Sequence, residues 1–586
     1  MTTQKQMGIE PAVLIVGAGP SGLALALLLL RNNVPVRIID KRSVFNVGRR
    51  GAGFQPRTLE LYKLLGILPD IEKYGQPAPM MKIYDIGQDK PLKVAPSMEE
   101  MSLESQYYRV NSMMFGQEQH QETLRQILES EYGCFVESET EVDSFSQDKG
   151  KVVVNLVKKG KQETANAKWL VGADGARSVV RKQLGLAFVG ESHADVTSVI
   201  GDIEVKKWPD EIDLEVRVAL YRSQSTGTSL LPGLVFMGQS EGKDVRPLCP
   251  YVKDGKQMAF FFLSGAQVDV EGVAANPERI VNMLHDISGR KGIEFGALYQ
   301  HAIWSANVRM ANKFGEGRVF IIGDAAHVHS PTGGQGMNSG VQDSFNLAWK
   351  LALVHKGLAL RSLLESYTTE RLPVIAAMLE ITTILMRKDF ALTGNTERFV
   401  RGFETRQLGI TYRKSPIIVD ERYPGENETV DPYRSGSDGT VHAGDRAPEA
   451  PGLKHLDSGE KTSIFELFNA TSHTVLFFGN SISDIQESLE FVTKYLKNVV
   501  KSVLVLPQGS TLSSDSEKAL LDHVFVDGDG HAYENYRVRP GDAFAAVVRP
   551  DGYIGALAKG TSGLKEYFRN IFHTHPSQLP YHSKNM

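Results

Sequence analysis

Short apolar runs punctuate the first and middle parts of the chain. Ala12-Val13-Leu14-Ile15-Val16, Val36-Arg37-Ile38-Ile39, Trp169-Leu170-Val171 and Val319-Phe320-Ile321-Ile322 hold almost no polar position. Runs this short and continuous predict strands buried on both faces of a parallel sheet. A stretch rich in Leu and Ala, Leu23 to Leu30, predicts a helix after the first run. A second helix beginning near Asn338 puts Val341, Phe345, Ala348 and Leu351–Ala352 on one face. Between about 195 and 300 the period changes to two, as in Val216-Arg217-Val218-Ala219-Leu220-Tyr221 and Met258-Ala259-Phe260-Phe261-Phe262-Leu263. That alternation predicts a half-buried sheet, which a stretch near 76–110 is expected to join. Thr474-Val475-Leu476-Phe477-Phe478 and Val500 to Leu506 predict strands of a further small α/β unit. From Arg387 to about 440 the chain is mostly polar, and Ser435-Gly436-Ser437-Asp438-Gly439 reads as a linker.

Composition narrows the class without naming it. A chain of 586 residues is too long for one core and implies two to four domains. A formal charge of −4 offers no electrostatic case for nucleic acid or an acidic membrane. The apolar run ending at Leu30 falls far short of the ~20 residues of a membrane helix. Met1-Thr2-Thr3-Gln4-Lys5-Gln6 has no signal-peptide core, so a cytoplasmic protein is expected. Cys134 and Cys249 are the only cysteines, which excludes a disulfide framework, a CxxC redox pair and a cysteine-rich metal site. His327 and His329 share a loop, and their spacing reads as structural rather than metal-ligating.

Three glycine turns carry the chemistry. After the first strand comes Gly17-Ala18-Gly19-Pro20-Ser21-Gly22, then the Leu/Ala helix, then a second strand ending at Asp40. Gly17 permits the tight turn, Gly19 the close approach of main chain to a pyrophosphate, and Gly22 the helix–strand packing. Asp40 can accept from ribose hydroxyls and would repel a 2′-phosphate, which suits FAD or NAD better than NADP. A second strand-turn-helix segment is Gly172-Ala173-Asp174-Gly175-Ala176-Arg177-Ser178, in isolation an Asp-Gly turn. The third runs from Gly323-Asp324 through Ser330-Pro331-Thr332-Gly333-Gly334-Gln335-Gly336-Met337-Asn338 into a helix. It offers a carboxylate at a strand end, glycines that let a flat ligand approach, and the positive end of a helix. A flavin matches this set: Asp324 meets the ribityl chain, and the N–H groups of Met337 and Asn338 meet the N1–C2=O edge.

In this order and spacing the three segments resemble the fingerprints of the FAD-dependent aromatic hydroxylases, the single-component flavoprotein monooxygenases. Arg50 followed by Arg57-Thr58-Leu59-Glu60, Phe115-Gly116-Gln117, and Leu364-Glu365-Ser366-Tyr367-Thr368-Thr369-Glu370-Arg371-Leu372-Pro373 are similar to further segments of that family. Gly444-Asp445-Arg446-Ala447-Pro448 and Val548-Arg549-Pro550-Asp551-Gly552-Tyr553-Ile554 are similar to the ends of the thioredoxin-like domain of its phenol hydroxylase branch. The resemblance implies an α/β fold: a discontinuous Rossmann-type FAD domain over 8–190 and 300–390, with an inserted substrate-binding sheet over 191–299. A linker over 391–440 and a thioredoxin-like domain over 441–586 would follow. It adds Lys41, Arg50, Gln117, Asp174, Pro331, Gly334 and Gly336 to the cofactor contacts.

The resemblance also implies a reaction. NADPH or NADH binds transiently and reduces FAD; O2 then gives a flavin C4a-hydroperoxide that hydroxylates a small, phenolic aromatic. The phenol hydroxylase branch has an aspartate where this chain has Ala52, a departure that points to another activating base or to a different, larger substrate. Tyr221, Arg222 and Tyr251 on the predicted sheet are the candidates, and the C-terminal domain is expected to form a homodimer contact. Oxidative decarboxylation, epoxidation and Baeyer–Villiger insertion use the same flavin chemistry. The alternative from another class is a non-catalytic flavin-binding protein whose tail mediates association.

Overall fold

The computed structural model describes residues 11–573, apart from 46, 50, 52, 78–79, 86–92, 97, 209–233, 241–242, 264–267, 289–291, 391–400, 426–430, 434, 436–438 and 511–519. Its first layer is built from the continuous apolar runs. Strands β1 (Val13–Val16), β2 (Val36–Ile39), β3 (Trp169–Gly172) and β4 (Val319–Ile321) form a sheet in the order β4-β3-β1-β2. Every pairing among these four is parallel, and a short antiparallel strand, Gly315–Glu316, closes the β4 edge. Helix α1 (Pro20–Arg31) is buried from Gly22 to Leu29 on every side. Its all-round apolar sequence is explained by its place between this sheet and two helices, α2 (Gln117–Tyr132) and α3 (Gly336–His355).

A second, eight-stranded sheet lies over the first. Its order is His327–Val328, Glu294–Ala311, Phe188–Lys207, Lys256–Leu263, Lys243–Lys253, Leu234–Ser240, Met80–Asp85 and Lys93–Pro96. The strand Glu294–Ala311 is continuous, so the chain returns to the first sheet at Gly315 rather than at the expected 300. His327–Val328 lies at the edge of this covering sheet, while β4 ends in the first. The turn Gly323-Asp324-Ala325 therefore crosses from one sheet to the other.

A third sheet of eight strands holds the C-terminal part, centred on His473–Phe478, whose six residues are all buried. The expected linker needs correction here. Of its described part, residues 405–413 are wholly buried, and Val419–Asp420 pairs in parallel with Ile554–Ala558 as an edge strand of the third sheet. Its polar residues are paired rather than solvated: Arg413 makes a two-pronged bond to Asp445 at 2.7 and 2.6 Å, and Gln407 donates to Gln335 at 2.7 Å. No helix among the described residues is long and apolar enough to cross a membrane.

The C-terminal sheet is joined to the first layer by buried charge. Glu370, on helix α4 (Glu365–Phe390), accepts from both terminal nitrogens of Arg549 at 2.7 and 2.9 Å, from Lys350 at 2.7 Å and from Ser415 at 2.6 Å. Arg549 also meets Asp551, which accepts from the Trp349 indole N–H at 3.1 Å. Arg57 pairs with Glu60 at 2.8 Å, donates to the Asp551 carbonyl and lies over the Tyr553 ring. Arg446 completes the group on Glu60 at 3.2 Å. Six sequence segments, most of them far apart in the chain, thus share one buried junction in which each carboxylate meets at least one cation.

Candidate functional site

The glycine turn after β1 is shaped by close backbone contacts. Gly17 has φ +106°, and a Cβ there would stand 2.3 Å from the Ala173 carbonyl oxygen, next to the second motif. A Cβ at Gly22 would stand 2.0 Å from the Gly17 oxygen, so only glycine lets α1 sit this close to the turn. Gly19 differs: a Cβ there would meet nothing within 4 Å, so the space in front of it is open. Asp40 accepts from Ala18 N–H and Arg42 N–H, both at 2.9 Å, and so fixes the turn to the end of β2. Lys41 beside it is exposed.

Asp174 is engaged by its own chain. It accepts from Ser178 Oγ at 2.6 Å and from Val179 N–H at 2.7 Å, capping the short helix Val179–Gln183. From that helix Arg181 reaches the Ala325 carbonyl at 2.8 Å and holds the third turn. Gly323 has φ +57°, and both it and Gly340 leave room for Ser21 Oγ at the start of α1. All three motifs therefore meet at one place.

Asp324 sits at that meeting point with its side chain accessible, and no described residue donates a hydrogen bond to it. Surrounding protein nonetheless desolvates it, and burial raises its carboxyl above the ordinary range while the charge of His327 opposes the rise. A carboxylate that is accessible but without a donor among the described residues fits the hydroxyls of a ribityl chain. Past the turn Pro331–Gly334, closed by Gly334 N–H on the Pro331 carbonyl at 3.0 Å, α3 begins at Gly336 with no side-chain cap. Its first N–H groups are free to meet an electron-rich group. His329 packs beside Gly336, and burial lowers its imidazole to about 4, which keeps it neutral. Asn338 is buried as a clamp: its oxygen accepts from Gln55 N–H at 2.9 Å, and its amide donates to the carbonyls of Gly53 and Gly334. A Cβ at Gly51 would touch both Gln117 and Met337, at 3.6 and 3.7 Å, so these two side chains converge. An accessible carboxylate without a protein donor, beside free main-chain N–H groups, fits FAD.

Of the sheet candidates, Tyr221 and Arg222 lie outside the described residues, as do Arg50 and Ala52. Tyr251 is in place: its hydroxyl donates to Asp202 at 2.7 Å. Burial, and then the Asp202 charge, push its phenol far above the ordinary value. Tyr251 is thus a hydrogen-bond donor and not a base. Asp202, Gln300 and Arg49, which surround it, escape a reading of the sequence. Asp202 is one polar position in a period-two strand, like the partly exposed Glu204 two residues on. Asp343 escapes as well: it accepts from His327, Gly323 N–H and Arg371, at 2.7, 3.0 and 2.8 Å, beneath the third turn.

Comparison with known proteins identifies the ligand of the groove. A family model described as FAD binding domain matches residues 10–382, and one described as phenol hydroxylase, C-terminal dimerisation domain, matches residues 500–576. The chain belongs to the FAD-dependent aromatic hydroxylases. This monooxygenase is 31% identical to a flavin-dependent monooxygenase of Mycobacteroides abscessus, over 95% of this chain and 99% of that one. It is 29% identical to the pentachlorophenol 4-monooxygenase of Sphingobium chlorophenolicum, over 94% of both chains. Its fold is similar to that of the flavin-dependent monooxygenase PieE in complex with FAD and substrate, with a TM-score of 0.74, 22% identity and coverage of 96% and 98%. FAD is the cofactor of this monooxygenase.

Proposed function

We propose that this monooxygenase hydroxylates an aromatic, phenolic small molecule at the expense of NADH or NADPH and O2. The observation that carries the reading is the accessible carboxylate of Asp324, to which no described residue donates, together with the open space at Gly19 and the uncapped start of α3. When bound, FAD supplies the capacity to accept a hydride from the nicotinamide and, once reduced, to activate O2 for transfer of one oxygen atom to the ring.

The chain's own residues bind and orient. Gly17, Gly19 and Gly22 bring main chain to the pyrophosphate, with Asp40 and Lys41 on the adenosine side. Asp324 accepts from the ribityl hydroxyls, and Gln117, Asp174 and, by resemblance, Arg50 flank the cofactor. Pro331, Gly334 and Gly336 let the loop lie against the ring. N–H groups of Met337 and Asn338, with the α3 dipole behind them, favour negative charge at the ring's N1–C2=O edge. The covering sheet excludes water and holds the aromatic, with Tyr221, Arg222 and Tyr251 on the substrate side; Tyr251 gives its one hydroxyl proton to Asp202, so it offers a substrate only its oxygen as an acceptor and cannot serve as a base. Relatives named for pentachlorophenol and for aklavinone support substrates from one ring to fused ring systems. We assign the C-terminal unit a thioredoxin-like fold and a homodimer contact, in a cytoplasmic enzyme.

Anaerobic reduction of the bound flavin by NADPH and by NADH, with and without a panel of phenols and hydroxybenzoates, tests the reading. One aromatic should accelerate reduction by orders of magnitude and, in air, yield a product heavier by one oxygen atom. Fast reduction without any aromatic, or consumption of O2 with no hydroxylated product, would overturn it.

A further inference from the structure

The covering sheet meets the chain at Gly48 and Arg49 through one buried carboxylate, and Lys253 of the same sheet reaches the same place through Glu118. Asp202 is wholly buried. It accepts from three sources on three parts of the chain: Arg49 main-chain N–H at 3.1 Å, Tyr251 hydroxyl at 2.7 Å and Gln300 Nε2 at 2.7 Å. Gly48, with φ +93°, permits this approach, because a Cβ there would stand 2.7 Å from both Asp202 Oδ2 and Gln300. On its other side the same loop is held by α2: Gly48 N–H donates to Glu118 at 2.7 Å, and Gln117 N–H donates to the Arg49 and Gly51 carbonyls at 3.0 and 3.2 Å. Gly51 in turn touches the place where Gln117 and Met337 converge.

Arg49 is only 7% exposed, and its guanidinium lies over the Tyr251 ring at 4.9 Å. Asp202 therefore binds both the Arg49 main chain and the hydroxyl of the ring on which that guanidinium rests.

We propose that Asp202 is a positioning residue: a latch that ties the covering sheet to the chain at Gly48 and Arg49, so that the sheet sets where the flavin lies in its groove. This rests on the reading of the groove as the FAD site. Whatever displaces the strands carrying Asp202, Tyr251 and Gln300 is then felt by the cofactor through the chain at Gly48 and Arg49.

The test uses the full chain reconstituted with FAD, as wild type, Asp202→Ala, Asp202→Asn and Tyr251→Phe. The readouts are FAD affinity by flavin fluorescence, visible circular dichroism of the flavin at saturating FAD, and the apoprotein Tm. Asp202→Ala should weaken FAD by at least about tenfold. At saturation its flavin should fluoresce more and give an altered visible dichroism. Asp202→Asn should restore both, because an amide can accept from Arg49 and Gln300 on its oxygen and donate to the Tyr251 hydroxyl. Wild-type dichroism and fluorescence in saturated Asp202→Ala, whatever its Tm, would overturn the latch and leave Asp202 a stability residue. Should Asp202→Ala fail to fold, Tyr251→Phe decides: it keeps the ring under Arg49, so a smaller shift in the same direction supports the latch and an unchanged spectrum overturns it. A wild type that binds no FAD would overturn both the latch and the reading beneath it. A latch-dependent flavin spectrum with no aromatic turned over would overturn the hydroxylase reading alone.

Discussion

At the scale of single residues, two glycines three positions apart answer to different demands. Gly22 is required by the protein, because a methyl group there would strike the Gly17 carbonyl. Gly19 is required only by the ligand, because its extended backbone, φ −74° and ψ 178°, suits alanine and a methyl group would meet no protein atom. Gly22→Ala should therefore destabilise the apoprotein by about 1–3 kcal/mol, read as a lower Tm. Gly19→Ala should leave the apoprotein Tm unchanged yet weaken FAD by about tenfold or more, since its methyl group projects into the cofactor's space. A Tm loss in both, or in neither, would show that the two turns are not divided this way. Such glycines were readable in the sequence because their constraint is local, a turn between an apolar strand and an apolar helix. Asp202 was not, because the partners that define it lie 153 and 98 positions away on other elements. Tyr251 was readable as a polar residue on a sheet, but its sense as donor rather than base depends on the buried acid it faces.

Among elements, the decisive relation is the start of α3 against the segment Gly53–Gln55. Asn338, itself buried, bridges them by accepting from Gln55 N–H and donating to the Gly53 carbonyl, and donates also to the Gly334 carbonyl of its own loop. Asn338→Asp keeps the acceptor for Gln55 N–H but sets a second carboxylate oxygen against the carbonyls of Gly53 and Gly334. A stability loss of about 1–3 kcal/mol and a flavin bound at least tenfold more weakly are expected, from chemical denaturation and fluorescence titration. Preserved affinity would mean that α3 is placed by its apolar face alone. Helices and strands of this kind were legible from period and cap signals, whereas the segment 405–413 was not. Its polar residues look solvated in isolation and are buried in fact, because Asp445, Gln335 and Gln342 pair with this segment from elsewhere in the chain. Composition reports polarity but not whether a partner waits for it.

For the whole molecule, burial of neutral imidazoles sets the response to acid. Burial lowers His120 and His473 to about 3 and His329 to about 4, with the Arg549 charge assisting at His473 and the His327 charge at His329. A group whose folded pKa is depressed stabilises fully above its unfolded value, and that stability is lost as pH falls toward the folded value. Stability should thus begin to fall below about pH 6.5, by up to about 2 kcal/mol per imidazole at pH 5. Asp343 adds a later loss: burial alone would raise it, but His327 and Arg371 outweigh burial and hold it at about 2, so its share is lost only below the ordinary carboxylate range. A Tm that is flat from pH 7.5 to pH 5 would refute the first window. The junction on Glu370 makes a second prediction. Arg549→Leu strands the Glu370 and Asp551 carboxylates in a dry interface, at about 3–5 kcal/mol, and should unfold the first layer and the C-terminal sheet in one transition at lower temperature. Separate transitions by flavin release and by far-ultraviolet dichroism would show the two layers to be independent.

The first sheet also has a history in time. Its strand β3 must wait for β4, the partner on its other edge, until nearly all of the covering sheet has been made. At about 5–20 residues per second a ribosome needs on the order of ten seconds to bridge that interval. Throughout it the nascent chain carries an apolar parallel strand with one edge open, the most adhesive surface an unfinished protein can show. Newly made chains should therefore depend on chaperones at that stage of synthesis, long before any cofactor has a groove to enter.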